Sequence, residues 1–247
     1  MDGLLHDAMD LWRRSRRAIA FTGAGISVPS GIPDFRSPGG LWSHFDPQEV
    51  ASIQALHANP TGVWEFLLEA VTMFTRAKPN PAHLALARLE ACGKLGTLIT
   101  QNIDGLHQAA GSKDVVEFHG GCQRFYCMRC KREYDPAAAA RLTRNDIPWL
   151  CACGGLIRPE VVFFGETIPH EAMRRTGEAV SEADLVLIVG TSGEVAPANL
   201  IPRQVKADGG HVIEVNLGPT AFAGVSDVRF DAPAEVVLPA LADLVCA

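Results

Sequence analysis

The apolar positions of the chain follow two patterns. Leu5, Ala8, Met9 and Trp12 stand three and four residues apart, the spacing of one helical face. Arg13, Arg14, Arg16 and Arg17 read as the solvated face and C-terminal end of that helix. The next segment, AIAFTGAG, is a continuous apolar run halted by glycines, a strand feeding a turn. LGTLIT (95–100), EVVFFG (160–165), DLVLIVG (184–190) and HVIEVN (211–216) have the length and composition of parallel strands covered on both faces. Helical spacing separates several of them. Two helical segments open on Asn59-Pro60 and Asn80-Pro81, where Asn caps a helix and Pro occupies its first turn.

This alternation predicts an α/β fold, a doubly wound, Rossmann-like parallel sheet. Residues from about 122 to 155 break the alternation and carry five cysteines, four of them in two close pairs, which predicts a smaller inserted metal-binding module. With no repeat or linker between independent units, residues 1–247 read as a single domain. Its Rossmann-like lobe takes about 1–37, 95–121 and 156–247. A small lobe takes about 38–94, a loop and helical segment, and 122–155, the cysteine module.

Composition narrows the setting. A hydrophobic fraction of 47% and a charged fraction of 20% suit a chain folded throughout. The formal charge of -6 argues against broad, sequence-independent nucleic-acid binding, and no direct nucleic-acid partner is expected. No apolar run approaches the roughly 18–20 residues of a membrane span. Met1–Arg17 lacks the order of a signal peptide, so the expected location is cytoplasmic. In that compartment the seven cysteines read as reduced thiols or metal ligands rather than disulfides. Cys127 and Cys130 form C-x-x-C, and Cys151 and Cys153 follow as C-x-C after 20 intervening residues. Four thiolates close a tetrahedral zinc site with no position open to substrate, so the module is expected to be structural. Cys92, Cys122 and Cys246 lack a partner at suitable spacing and are expected to be packing or incidental thiols.

The polar residues at the strand ends carry the chemistry. GAGIS places Gly23 and Gly25 where backbone amides can approach a phosphate, or where a tight turn simply joins strand to helix. Val28 stands where the third glycine of a dinucleotide fingerprint would fall, and no acid follows at the usual distance. GIPDFR adds Asp34, Phe35 and Arg36: an arginine suited to a pyrophosphate and an aromatic ring suited to excluding water from a reactive sugar. LGTLITQNIDGLH turns abruptly polar at Gln101, Asn102 and Asp104, at the carboxyl end of a strand where open α/β sheets bind ligands. Capping of the following helix is the alternative for Asn102 or Asp104. His119, just ahead of the cysteine module, reads as a core histidine, a metal-site residue or a base.

Taken in order, GAGIS (23–27), GIPDFR (31–36), TQNIDGLH (100–107), HG (119–120), the paired cysteines, FFGE (163–166) and VGTS (189–192) resemble the sirtuin family, in its bacterial type, of NAD-dependent protein-lysine deacylases. The matches span nearly the whole chain. The resemblance implies NAD as co-substrate, a structural Zn2+ on Cys127, Cys130, Cys151 and Cys153, and acyl-lysine proteins or peptides as substrates. It implies cofactor contacts from Gly23, Ala24, Gly25, Asp34, Phe35, Arg36, Gln101, Ile103 and Asp104, with Gly190, Ser192 and Asn216 on the adenosine-ribose side. His119 matches the general base, and Asn102 a residue that orders ribose and water. Val161, Phe163, Gly165 and Glu166 match the substrate-binding segment, on which a peptide adds as a strand.

The implied reaction is attack by the acyl oxygen on the anomeric carbon as nicotinamide leaves, then deprotonation of a ribose hydroxyl by His119 and transfer of the acyl group to ADP-ribose. One variant of the family reads acidic acyl groups through a Tyr-x-x-Arg pair after VWEF; here those positions are Leu67 and Ala70. The implied preference is acetyl, with longer apolar acyl groups possible, above succinyl or malonyl. Mono-ADP-ribosyl transfer or NAD cleavage in the same pocket is the alternative activity, and an NAD-sensing binding module the non-enzymatic one. The protein target and the oligomeric state are not legible.

Overall fold

The structure, a computed structural model, describes residues 2–34, 40, 43 and 45–247. Phe35 and Arg36, both expected at the cofactor, lie outside the described residues. The strands are β1 (Ala18–Thr22), β2 (Leu98–Thr100), β3 (Val115–Glu117), β4 (Gly120–Cys127), β5 (Glu133–Tyr134), β6 (Ile157–Val161), β7 (Leu185–Val189), β8 (His211–Asn216) and β9 (Val228–Asp231). The helices are α1 (Asp2–Arg14), α2 (Pro47–Val50), α3 (Ile53–Ala58), α4 (Pro60–Arg76), α5 (Pro81–Ala91), α6 (Leu106–Ala109), α7 (Pro136–Ala139), α8 (His170–Glu182), α9 (Leu200–Ala207) and α10 (Ala234–Val245).

Six strands form one sheet in the order β3-β2-β1-β7-β8-β9, parallel at every pairing. This is the doubly wound arrangement that the alternating pattern predicts, with its topological switch between β1 and β7. Both faces are covered because the strand residues alternate between two cores. Ala18 and Ala20 of β1 face α1, α5 and α10, while Ile19 and Phe21 face α8 and α9. Helix α1 buries Leu5, Ala8, Met9 and Trp12, the four residues of its predicted face. The Asn-Pro signals also hold: Asn59 and Asn80 accept from the amides of Gly62 and Ala82 at the first turns of α4 and α5.

A second, antiparallel sheet has the order β5-β4-β6. Its core joins the cysteine module to α3 and α4: Trp64 is fully buried, donates Nε1–H to the Ile157 carbonyl at 3.0 Å and stacks on Phe125. EVVFFG, expected as a further parallel strand, belongs here instead. Only Glu160 and Val161 are in a strand, β6, and its partner is the antiparallel β4. By packing, α5 goes with α10 on the large sheet and β6 with the small one, against lobe boundaries expected at 94 and 156. A continuous apolar run cannot distinguish the two sheets, because β6 also has buried residues on both sides.

The cysteines bring one correction. Cys92 and Cys246, expected as unpaired thiols, form a disulfide across a sequence separation of 154. Packing of α5 against α10 sets their Cα atoms 6.0 Å apart, and no local spacing could announce that pair. Cys122, Cys127, Cys130, Cys151 and Cys153 are free, Cys122 fully within the core as expected of a packing thiol.

Candidate active site

The candidate site lies along the carboxyl edge of the parallel sheet, at Gly23, Gln101, His119 and Gly190, which follow β1, β2, β3 and β7, and at Asn216, the last residue of β8. Two glycine turns meet at the switch point. Gly25 donates its amide to the Gly190 carbonyl at 2.9 Å, and Gly23 donates to Val189 at 3.0 Å. A Cβ on Gly25 would stand 2.9 Å from the Gly190 Cα; one on Gly190, where φ is +63°, would stand 2.3 Å from the Ile26 nitrogen. Backbone therefore packs on backbone, and only glycine fits the contact. The chain then enters a 3-10 helix, Ala24–Ser30, so the turn is a tight connection whose Gly23 and Gly25 amides are held by the end of β7. Asp34 lies half-buried at the margin of the described residues.

Gln101, Asn102 and Asp104 are drawn into this edge by side-chain hydrogen bonds. Gln101 donates Nε2 to Thr191 Oγ1 at 2.9 Å, linking β2 to the turn after β7. Asn102 donates Nδ2 to the Gly23 carbonyl at 3.1 Å and to Ser27 Oγ at 3.2 Å. Asp104 accepts from Ser27 Oγ at 2.7 Å through one oxygen and from the Leu106 amide at 2.9 Å through the other. Asp104 thus also caps the turn into α6, and Ile103 accepts from the Cys122 amide. Burial raises the Asp104 pKa, opposed by those two hydrogen bonds. Beneath this layer Thr22 Oγ1 bonds His107 Nε2 at 2.9 Å, and the rings of His83 and His107 stand 4.9 Å apart.

His119 follows β3 and is half-buried. Its Nδ1 stands 3.2 Å from the Gln101 carbonyl. A carbonyl only accepts, so Nδ1 carries the proton and Nε2 keeps its lone pair. Burial pushes the pKa below its ordinary 6.5, against the upward pull of that hydrogen bond. The next residue, Gly120, has φ +73°, and a Cβ there would lie 1.9 Å from the Glu160 carbonyl. The histidine is thereby held where the two sheets abut. His119 is not part of the cysteine cluster, which holds no histidine.

The segment 161–166 forms the opposite wall. Val162 donates its amide to the His119 carbonyl at 2.8 Å, so wall and histidine share a backbone link. Phe164 accepts from the amide of Ile53 at the start of α3 and donates its own to the Ala51 carbonyl just before it, and Gly165 turns with φ +89°. Val161 and Phe163 are buried against α4. The Glu166 carboxylate faces inward: it pairs bidentately with Arg158 at 2.6 and 2.7 Å and accepts from the Phe163 amide at 2.9 Å. Arg158, 2% exposed, lies over the Phe163 ring at 4.4 Å and also donates to the Val161 carbonyl. Sequence reasoning missed Arg158. Its one signal is a lone basic residue inside an apolar strand, which has to find a partner when buried.

The ligand atoms of Cys127, Cys130, Cys151 and Cys153 all lie within 4.8 Å of one another. Cys127 Sγ and Cys153 Sγ are 3.5 Å apart, and Cys130 Sγ and Cys151 Sγ 3.6 Å, close to the ~3.8 Å edge of a tetrahedron with Zn–S bonds of ~2.3 Å. The arrangement is compatible with a structural zinc. Cys151 sits one residue later than a C-x-x-C pair would place its first cysteine, and the Cys151–Gly155 turn absorbs the shift. Cys151 donates its amide to the Gly155 carbonyl, and Leu150 points out, 57% exposed.

A doubly wound parallel sheet with two glycine turns packed together at its switch point is the framework of a nucleotide-binding α/β protein. The chain matches the Sir2 family over residues 23–197 and belongs to that family. It is 45% identical over 235 residues to NAD-dependent protein deacylase 2 of Pyrobaculum aerophilum, covering 95% of this chain and 93% of that protein. A solved Sir2 enzyme superposes with a TM-score of 0.92 at 40% identity, over 99% of this chain and 98% of the other. A solved Sir2 bound to a deacetylated p53 peptide and 3′-O-acetyl ADP ribose superposes with a TM-score of 0.89 at 38% identity, over 98% and 96%.

Proposed function

We propose that this chain is an NAD-dependent protein-lysine deacetylase that transfers the acetyl group to ADP-ribose and releases nicotinamide. The observation that carries this reading is the tautomer of His119, whose Nε2 lone pair is available at the carboxyl edge of the sheet. Bound NAD supplies the labile nicotinamide–ribose bond. His119 then takes a proton from a ribose hydroxyl, which a histidine kept neutral by burial does at neutral pH. Gly23, Ala24 and Gly25, without bulky side chains, let the pyrophosphate approach the backbone closely, and Gln101, Asn102, Ile103, Asp104 and Asp34 border the nicotinamide end. Gly190, Ser192 and Asn216 take the adenosine side. An acyl-lysine peptide lies along 161–166, with Val161 and Phe163 bordering the lysine and Glu166 bracing the wall. Zinc on the four thiolates holds the small sheet and takes no chemical step.

Acyl preference belongs to the same reading. Leu67, 3% exposed, is packed in the apolar core of the small lobe, Ala70 is 5% exposed on the same helix, and neither brings a cation. An acidic acyl group would be desolvated there without a partner, so acetyl and longer apolar groups are favoured over succinyl. No helix among the described residues is long and apolar enough to cross a membrane. The five free thiols favour a cytoplasmic setting and the Cys92–Cys246 disulfide counts against it, while the charge of -6 supports the absence of a direct nucleic-acid partner.

Purified protein incubated with NAD and matched acetyl-lysine and succinyl-lysine peptides, followed by mass spectrometry, tests the assignment. The expected result is NAD-dependent loss of acetyl with equal release of nicotinamide and acyl-ADP-ribose, weak turnover of succinyl, and a loss of at least about a hundredfold in His119→Ala. NAD cleavage without deacylation, or ADP-ribose attached to protein, would replace it with the hydrolase or transferase reading.

A further inference from the structure

Strand β8 holds a carboxylate that the reaction does not use. Glu214 is 0% exposed, in the middle of the parallel sheet between β7 and β9. A charge so buried is retained only where it is fully partnered. Its Oε1 accepts from Asn216 Nδ2 at 3.0 Å and from Thr220 Oγ1 at 2.5 Å. Its Oε2 accepts from Ser226 Oγ at 2.6 Å, and Arg229 Nε lies 3.5 Å away. Arg229 also donates to the Gly218 carbonyl, and Ala221 donates its amide to the Ser192 carbonyl at 2.8 Å. One buried acid therefore gathers both ends of the 217–227 loop, and that loop is pinned to the turn after β7.

The chemistry of the Asn216 contact has a consequence for the cofactor. A carboxylate is an acceptor only, so the amide group facing it is the NH2 and the Oδ1 is turned away from it. Asn216 ends β8, beside the strand that ends on Gly190, where the ribose of a bound dinucleotide sits in an open α/β sheet. An Oδ1 there accepts hydrogen bonds from ribose hydroxyls. It cannot accept from a phosphate, whose oxygens carry no proton at neutral pH, and it lies close to a buried negative charge. The geometry points to Glu214 as a positioning residue that fixes Asn216 as an acceptor, and so selects a free adenosine-ribose diol, as in NAD, over the 2′-phosphorylated form, as in NADP. This rests on the reading of Asn216 as a ribose contact.

Steady-state kinetics with NAD and with NADP at a saturating acetyl-lysine peptide read the effect. Glu214→Gln keeps the shape but lets either amide group face Asn216. It is expected to raise the KM for NAD about tenfold, the worth of one hydrogen bond, with kcat and peptide KM within about twofold and with the NADP-to-NAD ratio of kcat/KM increased. Asn216→Asp sets two acceptors against each other and is expected to weaken NAD as much as Asn216→Ala does. In the E214Q/N216D double variant the new carboxamide NH2 at position 214 again meets an acceptor, and the new carboxylate at position 216 still accepts from the diol, so NAD affinity returns. Lost packing alone would give no such rescue.

The inference is overturned if Glu214→Gln leaves both the NAD KM and the NADP ratio unchanged, or if Asn216→Asp binds NAD normally. It is equally overturned if the double variant is no better than the singles. Should Glu214→Gln fail to fold, the Asn216→Asp comparison decides by itself. An unchanged NAD KM in Asn216→Ala would instead remove the ribose assignment, a failure distinct from that of Glu214.

Discussion

His119 sits under two opposed influences, and their balance sets the acid side of the activity. Burial disfavours the imidazolium, while the hydrogen bond to the Gln101 carbonyl favours it; burial is the larger, and the pKa falls below 6.5. The base form therefore persists to lower pH than for a histidine in water. A plot of log kcat/KM against pH should stay level down to about 6.5 and bend below it. A bend at or above about pH 7 would mean that another group limits the reaction. His83, whose pKa burial lowers to about 4, and His107, lowered well below 6.5 for the same reason, set the bound of the experiment. Between about 4 and 6.5 the unfolded chain binds more protons than the native one, so stability falls as pH falls through that window. Rates are therefore read by brief dilution from a neutral stock.

At the scale of elements, the wall 161–166 is held by an ion pair more than by secondary structure. Side-chain exposures of 3% for Arg158 and 26% for Glu166 put the pair where loss of one partner strands a buried charge. Glu166→Gln should cost on the order of 3 kcal/mol in stability. Because the same carboxylate holds the Phe163 amide, the variant should also raise the peptide KM more than the NAD KM. Denaturant melts with separate KM determinations check both. A variant of unchanged stability and peptide KM would reduce the pair to an incidental contact. Surface pairs such as Arg174 with Glu171 and Glu178 carry no comparable expectation, since solvent screens them.

For the molecule as a whole, the Cys92–Cys246 bridge joins the C-terminal ends of α5 and α10. Helices that return antiparallel to the strands end at the amino edge of the sheet, opposite the site. Closing a loop of that length removes about 5 kcal/mol of chain entropy from the unfolded state at most, a large share of the ~5–15 kcal/mol that holds a protein folded. Cys246→Ser, or reduction, should lower the melting temperature by roughly 10 °C while leaving kcat/KM for NAD and peptide unchanged. A loss of activity without a loss of stability would instead couple the clamp to the site.

Whatever depends on neighbours along the chain could be read from the residues alone. The apolar face of α1, the capped starts of α4 and α5, the buried strands β1, β7 and β8, and the glycine turn are local in origin. So are the C-x-x-C and C-x-C spacings of the metal-binding module and the ordered motifs that mark the Sir2 family, because residue type and spacing alone carry them. What depends on distant meetings was settled by packing. β6 went to the antiparallel sheet, α5 joined the large core, Cys92 found Cys246, and Arg158 found Glu166. Glu214, silent within an apolar strand, gained a role from a loop of its own making. The physical reason is the same in each case: burial makes an unpaired polar or charged group costly, and its partner is chosen by which surfaces pack, not by spacing in the chain.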